Sequence, residues 1–281
     1  MCYYGITLKQ KTIHTNIKNP EENKMKKFAK IISVVMALTM CFCLMAACGD
    51  EKTNDGKTGE DAAVTDLDYV KEKGTLIVGI TDFEPMDYQD ADGNWIGFDA
   101  DMAKAFAKSL GVEAQFQVIE WDNKVFELEG KTIDVVWNGM TLSDEVKSAM
   151  ACSNAYCNNA QVVILPADKA ADYTDVESLK DLSFAVESGS FGMAQAQDKG
   201  FEYTEVVDQA TALLEVKSGT ADAAIIDSLM AGAMVGEGTN YSDLTVGIML
   251  NAEEGEQYGV GFRKDSNLVD ELNAFFKKSY D

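Results

Sequence analysis

The sequence contains one histidine, His14, and one arginine, Arg263, in 281 residues. His14 lies in an amino-terminal segment that is predicted below to be removed, so the mature chain has no imidazole. This excludes a Ser-His-Asp triad, a Cys-His pair and any histidine-ligated metal. The chain also lacks a GxGxxG loop and a P-loop lysine. We therefore expect no metal and no cofactor, whereas catalysis by a pair of carboxylates stays open at this point.

Basic residues are also scarce, with 24 lysines and arginines against 47 acidic residues and a formal net charge of −23. A surface of this sign repels phosphate backbones, so we expect no nucleic-acid partner. Apolar residues make up 46% of the chain and aromatic residues 9%. This composition supports the core of one large domain or of two domains of ordinary size.

The segment 1–47 is predicted to be a leader and signal peptide. From Met25, which we interpret as the true start, the chain reads "MKKFAKIISVVMALTMCFCLMAACGD". Lysines precede an uncharged apolar run, as in a secretory signal. The run is slightly short for a membrane span of about 20 residues, although an uncleaved anchor helix stays an alternative.

Met45-Ala46-Ala47-Cys48 resembles a bacterial lipobox, although Leu is usual where Met45 stands. The resemblance implies that Cys48 is acylated and becomes the new amino terminus. Residues 48–65 are polar and predict a flexible tether, with a random-coil reach of roughly 20 Å. We thus expect an exported protein, held by lipid at the extracellular face of the cell membrane.

Cys152 and Cys157 are the cysteines that remain once residues 1–47 are removed and Cys48 is acylated. Their spacing permits a small-loop disulfide in an oxidising compartment, and two unlinked thiols are an equal alternative. "YQDADGNWIGFD" offers acidic residues at several EF-hand offsets, but Tyr88 stands at the first ligand position. The strand-like residues on both sides favour a β-hairpin that turns at Asp92-Gly93.

Short β-rich runs alternate with helical patterns along the rest of the chain, which predicts an α/β fold with largely parallel sheets. Two halves follow one another, and the last strand and helix return to the first half. We expect a first lobe over 66–160, completed by 254–281, and a second lobe over 161–253. The hinge strands are predicted near "AQVVIL" and "TVGIML". A ligand cleft between the lobes is expected where the strands end.

Several strand ends carry residues suited to a small polar guest: "TDFEP", "EWDN", "NGMT", "ESGSFG" and "IIDS". Phe83 and Trp121 are candidates for the walls of a pocket. Asn138, Gly139 and Thr141 are candidates for hydrogen bonds to the guest.

The segments "LIVGITDFEPMDY", "GFDADMAKAFAKSLG", "EWDNKVFELEGKTIDVVWNGMTLSDEVKSAM", "SFAVESGS", "SGTADAAIIDS" and "QYGVGFRKDS" occur in one order. In this order they resemble the bacterial extracellular solute-binding proteins of family 3, the polar amino acid receptors of ABC importers. The resemblance implies a two-lobed, type II periplasmic-binding-protein fold. It also implies a monomer without enzymatic activity that delivers a small polar solute to a membrane permease.

The resemblance further implies that one set of residues contacts the solute, with Asp227 accepting its α-ammonium group. The set is Phe83, Trp121, Asn138, Gly139, Met140, Thr141, Glu187, Gly189, Ser190 and Asp227. The chain departs from the family where an arginine usually grips the α-carboxylate, because Val146 stands there with Lys147 beside it. Backbone N–H groups at Thr141 and Ser190, an inward-turned Lys147, or a cationic solute without that carboxylate are the open alternatives.

Two other functional classes stay open on the sequence alone. A few relatives on this fold are dehydratases that use carboxylates in the cleft, so turnover of a prephenate-like substrate would indicate an enzyme. A sensory or adhesive surface protein is the other alternative, and a genomic context without permease and ATPase neighbours would indicate it.

Overall fold

The structure is a computed structural model that describes residues 64–251 and 255–279, so the predicted leader, Cys48 and most of the tether lie outside the described residues. The first elements are α1 (Asp66–Lys73), β1 (Thr75–Ile80), β2 (Tyr88–Gln89), β3 (Trp95–Ile96), α2 (Phe98–Leu110), β4 (Glu113–Val118), a 3₁₀ turn (Trp121–Asn123), α3 (Lys124–Glu129), β5 (Val135–Thr141), α4 (Asp144–Ala149), β6 (Ala151–Cys152) and β7 (Cys157–Asn159). None of the described helices is long and apolar enough to cross a membrane.

The elements that follow are β8 (Gln161–Pro166), β9 (Ser183–Glu187), α5 (Phe191–Lys199), β10 (Glu202–Val206), α6 (Gln209–Ser218), β11 (Ala223–Asp227), α7 (Ser228–Met234), β12 (Leu244–Met249), β13 (Glu256–Phe262) and α8 (Leu268–Ser279). Short 3₁₀ turns lie at Ala170–Asp172 and Glu177–Leu179.

Two large sheets divide these strands. The first has the order β4-β1-β5-β13-β6, with β7 also paired to β13, and the second has the order β10-β9-β11-β8-β12. The chain leaves the first sheet after β7 and returns to it with β13, so the last strand completes the sheet that the first strand began. The division into lobes at 160/161 and 253/254 stays a prediction about which residues move together.

The prediction of largely parallel sheets is wrong. β1 pairs in parallel with β4 and β5, and β9 pairs in parallel with β10 and β11. In contrast, β8, β12 and β13 pair antiparallel with their neighbours, as do β6 and β7. The chain enters each sheet from the other through β8 and β13, and the described residues just before these strands contain no crossover helix that would restore the parallel direction.

Helices bury apolar residues at helical spacing. In α2, Ala103, Phe106 and Ala107 are buried, and the helix ends at Gly111 in the left-handed conformation with φ 80°. In α8, Leu268, Leu272 and Phe276 are buried against the first sheet, where Phe276 lies 5.8 Å from Trp137 between ring centroids. Residues four apart on one helix face explain both patterns.

Arg263 follows β13 and binds residues at the start of β5. Its Nε donates to Asp66 at 2.8 Å, and its Nη1 donates to the carbonyl oxygens of Leu128 and Ile133 at 3.1 and 2.9 Å. The buried Asp134 lies 3.5 Å from Nη2. The arginine therefore ties together the end of the first sheet at which β5 begins.

Candidate functional site

A cavity of about 300 Å³ is enclosed by residues of both large sheets and their connections. On one side are the carboxyl end of β5 and the loops that follow β1 and β4, and on the other are the ends of β9 and β11 with the start of α5. The structure brings together all ten residues that the sequence predicts to contact the solute: Phe83, Trp121, Asn138, Gly139, Met140, Thr141, Glu187, Gly189, Ser190 and Asp227. That they contact a solute stays a prediction.

Asp227 is the last residue of β11, and 6% of its surface is exposed. The side-chain amides of Asn159 and Gln209 donate to its carboxylate, as does Gln161 Nε2 at 2.8 Å. Burial and the charge of Glu256 raise the pKa of Asp227 to about 7, while bonds from Gln209 and Gln161 act in the opposite direction. The carboxyl group is thus held in one orientation and is partly ionised near neutral pH.

Glu187 ends β9 and is 3% exposed. Its Oε2 accepts a long hydrogen bond of 3.5 Å from Gln209 Nε2, and its Oε1 has no partner among the described residues. Burial, followed by the charges of Asp227 and Asp208, raises the pKa of Glu187 to about 8. A buried carboxyl oxygen without a donor, beside a second carboxyl group, is an environment that favours a cationic guest.

Beside Asp227, a polar network joins the two chain segments that connect the two sheets. Glu256, the first residue of β13, accepts from Thr141 Oγ1 at 2.6 Å, from Asn159 Nδ2 at 2.7 Å and from Asn251 Nδ2 at 2.7 Å. Asn251 also accepts from the N–H of Gln161 at 2.7 Å. Both segments that cross between the sheets are therefore bonded to each other next to the cavity.

Phe83 and Gly139 fit closely together. Gly139 has φ 55°, and a Cβ at this position would lie 2.4 Å from Phe83 Cε1, so a side chain would displace the ring. The Phe83 ring also meets Tyr258 edge-on at 6.3 Å. The Gly139 N–H donates to the buried Asp99 at 2.7 Å. This N–H is consequently already used within the protein.

The side chain of Asn138 is also engaged within the protein. Its Oδ1 accepts from the N–H and the hydroxyl of Thr81 at 3.0 and 2.8 Å. Its Nδ2 donates to the Thr81 carbonyl at 3.1 Å and to Asp87 at 2.8 Å. Asn138 therefore joins β5 to the end of β1, and its side-chain amide is fully used within the protein.

Gly189 and Ser190 lie where the two sides of the cleft touch. Gly189 has φ 69°, and an added Cβ would lie 2.7 Å from the Cα of Asp122 on the opposite side. The Ser190 hydroxyl accepts from the N–H of Met193 at 3.0 Å and caps α5. The absence of a side chain at Gly189 thus permits this close approach.

A family model matches residues 76–281, which contain the whole cavity wall. The chain belongs to the bacterial extracellular solute-binding proteins of family 3. The predicted family, and with it the predicted class of solute-binding receptor, is confirmed.

Named members of the family resemble the chain over most of its length. The arginine-binding extracellular protein ArtP of Bacillus subtilis is 32% identical over 74% of this chain and 82% of its own length. The L-cystine-binding protein TcyJ of Escherichia coli is 29% identical over 74% of this chain and 78% of its own. The glutamine-binding protein GlnH of an ABC transporter of Bacillus subtilis is 28% identical over 89% of this chain and 92% of its own length.

Solved structures agree with the predicted fold. The holo form of ArgBP from T. maritima has a TM-score of 0.70 and 33% identity, and the match covers 76% of this chain and 94% of that one. An ancestral amino-acid-binding protein, described as a precursor of cyclohexadienyl dehydratase, has a TM-score of 0.68 and 30% identity. The match covers 76% of this chain and 93% of that one. The two-lobed type II fold is therefore confirmed.

At the position of the usual family arginine, Val146 lines the cavity and packs in the apolar cluster that contains Trp121 and Met140. Lys147 is exposed and does not turn inward. Arg263 does not line the cavity, because it binds at the opposite end of β5. Lys124 is the basic residue of the cavity wall, and its Nζ donates to the carbonyl oxygens of Trp121 and Gly189 at 3.1 and 3.0 Å.

Lys124, Gln209, Gln161 and Glu256 are functional candidates that the sequence analysis missed. Lys124 directly follows "EWDN", three positions after Trp121, so helical spacing was the one signal that pointed to it. Gln209 directly follows the capping residue of α6. For Gln161 and Glu256 no local pattern existed, because Gln161 bonds to Asp227 across 66 residues of chain and to Glu256 across 95.

The structure also decides two questions that the sequence left open, the state of two cysteines and the presence of a hairpin, both outside the cavity wall. Cys152 and Cys157 are both free thiols, in β6 and β7. The predicted hairpin is confirmed, because β2 pairs antiparallel with β3. Asp90 Oδ1 accepts from the N–H groups of Asp92 and Asn94 at 2.9 Å each, so this carboxylate stabilises the hairpin turn.

Proposed function

We propose that this protein binds a polar amino acid, or a related small solute, in the cavity and delivers it to the permease of an ABC importer. The observation that carries the proposal is the pair of buried carboxyl groups, Glu187 and Asp227, in the wall of a cavity of about 300 Å³. A cavity of this size accommodates a small molecule and little else. The relatives that bind arginine, cystine and glutamine agree with this class of solute.

Asp227 is the residue that we expect to accept the solute's ammonium group. Three amides orient its carboxylate, and a cation that enters the cavity would replace the hydration that burial has removed. Phe83 and Trp121 supply apolar walls for the rest of the solute.

A thermal-shift screen with amino acids, small peptides and polyamines tests the proposal. A bound solute should stabilise the protein by about 2.7 kcal/mol at a hundredfold excess over Kd. Asp227→Ala should abolish the shift, while Asp270→Ala, an exposed change on α8, should leave it intact. Absence of any shift with the wild type would count against a receptor for these solutes, and an unchanged shift with Asp227→Ala would remove Asp227 from the site.

We further propose that the protein is a monomer anchored through a lipid on Cys48. The cavity is enclosed by one chain, so a second copy is not needed to complete it. The lipobox-like segment before Cys48 and the polar tether after it support the anchor. Release of Cys48→Ser from the membrane fraction is the expected result, and retention of this variant would contradict the anchor.

A dehydratase is the second candidate function, because Glu187 has a pKa raised to about 8 and would be protonated in the empty cavity. A protonated carboxyl group in a cleft is able to act as a general acid. The ancestral neighbour described as a precursor of cyclohexadienyl dehydratase gives this candidate its structural parallel. Prephenate turnover by the purified protein would establish it, and we expect none.

A further inference from the structure

The charges around the cavity are unbalanced. Its described wall contains four carboxyl residues, Asp122, Glu145, Glu187 and Asp227, and one basic residue, Lys124. Val146 offers only apolar surface where the family usually has an arginine. An anionic group on the solute therefore has one side-chain cation in the wall with which to pair.

Lys124 is held so that part of its ammonium group stays free. The side chain lies over the Trp121 ring, with Nζ 4.9 Å from the ring centroid. Two of its hydrogen bonds are made to the carbonyl oxygens of Trp121 and Gly189. A lysine ammonium has three N–H donors, so one donor has no acceptor among the described residues. Because the residue is only 8% exposed, water does not readily supply that acceptor.

The surroundings of Lys124 favour a carboxylate at this point. Gly189, whose carbonyl binds the lysine, directly precedes the capping residue Ser190 of the nine-residue helix α5. The N–H of Phe191 lies in the first turn, where the helix itself supplies no acceptor, and the helix dipole adds partial positive charge. Phe191 also lines the cavity.

Lys124 and Val146 also share one wall. Val146 packs against the apolar cluster that includes Trp121, and the Lys124 ammonium lies over the ring of the same tryptophan. A cation on this wall therefore lies close to the region from which the usual arginine would reach the solute.

We infer that Lys124 holds the anionic group of the bound solute, its α-carboxylate in an amino acid, in place of the arginine that Val146 replaces. This inference rests on the proposed function. The lysine then joins three partners, because it is bonded to Trp121 on its own lobe, to Gly189 on the opposite lobe and to the solute. Asp227 receives the ammonium end, so one solute is held at both charged ends.

Isothermal titration calorimetry with the common L-amino acids, each also tested as its α-carboxamide, tests the inference. The amide keeps the size and shape of the amino acid but removes the negative charge. The wild type should prefer the best-bound acid over its amide by at least about tenfold, the value of one charge-assisted hydrogen bond. Lys124→Met should bring that preference close to one while the affinity for the amide changes little.

Matched variants separate recognition from a structural role. Lys147→Met removes an exposed lysine that does not line the cavity, and it should keep the wild-type preference. Lys124→Arg should keep the preference because the charge remains. Val146→Arg in the Lys124→Met background should restore it by supplying the cation from the usual position.

Three other outcomes would contradict the inference. If Lys124→Met weakens the acid and the amide equally, Lys124 only ties the lobes together and the inference is wrong. Equal wild-type affinity for the acid and the amide would also overturn it while leaving the receptor function intact. If the wild type binds neither an acid nor an amide, the proposed amino-acid function fails, and the inference fails with it.

Discussion

Glu187 and Asp227 differ in how many donors reach their carboxyl oxygens. Asp227 accepts from three amides, whereas Glu187 has one long bond and one oxygen without a partner. Burial is nonetheless the largest cause of the raised pKa in both residues. Both groups therefore hold protons in the empty cavity at a pH where an ordinary carboxyl group is ionised.

The raised pKa of Asp227 predicts that solute affinity depends on pH. A bound ammonium group stabilises the ionised form of Asp227, so its pKa, about 7 in the empty cavity, falls on binding and a proton is released. Affinity should consequently rise with pH, by about tenfold between pH 6 and pH 8 for one released proton. The other charged groups that act on Asp227 and Glu187 are Glu256, Asp208 and Lys124.

Calorimetry at pH 6, 7 and 8, in buffers of different ionisation enthalpy, measures both the affinity and the released proton. Asp227→Asn, which cannot ionise, should reduce the dependence to what Glu187 contributes. An affinity that does not change with pH, or that falls as pH rises, would contradict the proposed role of these carboxyl groups.

At the scale of elements, the turn from β9 to α5 combines a left-handed glycine with a contact across the cleft. Gly189→Ala should weaken solute binding by at least about tenfold, because the new methyl group would meet Asp122 only when the lobes close. The left-handed conformation itself costs about 1–2 kcal/mol for a residue other than glycine. That second effect acts on the fold in either state of the cleft.

The same helix provides a matched control for this prediction. Gly200, at the other end of α5, also has φ 69°, but an added Cβ there would meet no atom within 4 Å. Gly200→Ala should therefore lower the melting temperature as Gly189→Ala does, yet leave the affinity for the solute unchanged. Equal losses of affinity in the two variants would show that backbone strain, rather than the contact with Asp122, decides the effect.

On the scale of the whole molecule, the described conformation has the cleft closed, since Lys124 and Gly189 are bonded across it. Closing without a solute removes Glu187 and Asp227 from water, and this costs free energy because each carboxyl group must take up a proton or stay charged out of water. The open form should therefore dominate in the empty protein, and a solute that contacts both lobes should shift the population to the closed form.

Small-angle X-ray scattering is the measurement for this shift. The radius of gyration of the empty protein should exceed that of the same protein at saturating solute. Asp227→Ala should show no decrease at the same concentration. A radius of gyration that is already minimal without solute would indicate a cleft that is closed at rest.

Much of this protein was readable from local sequence. The alternation of β-rich and helical patterns predicted the α/β class, Asp92-Gly93 predicted the hairpin turn, and short motifs at strand ends predicted five residues of the cavity wall. These signals are local because a strand, a turn and a helix cap each depend on neighbouring residues. The resemblance to the family supplied the other five wall residues. The replacement of the usual family arginine by Val146 was also visible in the sequence, because the surrounding segment matches the family in order.

The tertiary structure alone decided which polar groups of the site are free to bind a solute and which charged residues face the cavity. Asn138 and Gly139, predicted as ligand groups, use their side-chain amide and N–H within the protein, because Thr81, Asp87 and Asp99 come from distant segments. The antiparallel strands β8 and β13 follow from where the chain crosses between sheets. Lys124 became the cation of the cavity only once folding placed it beside Gly189, 65 residues away. These three features depend on burial and on contacts between distant segments, and no short motif encodes either.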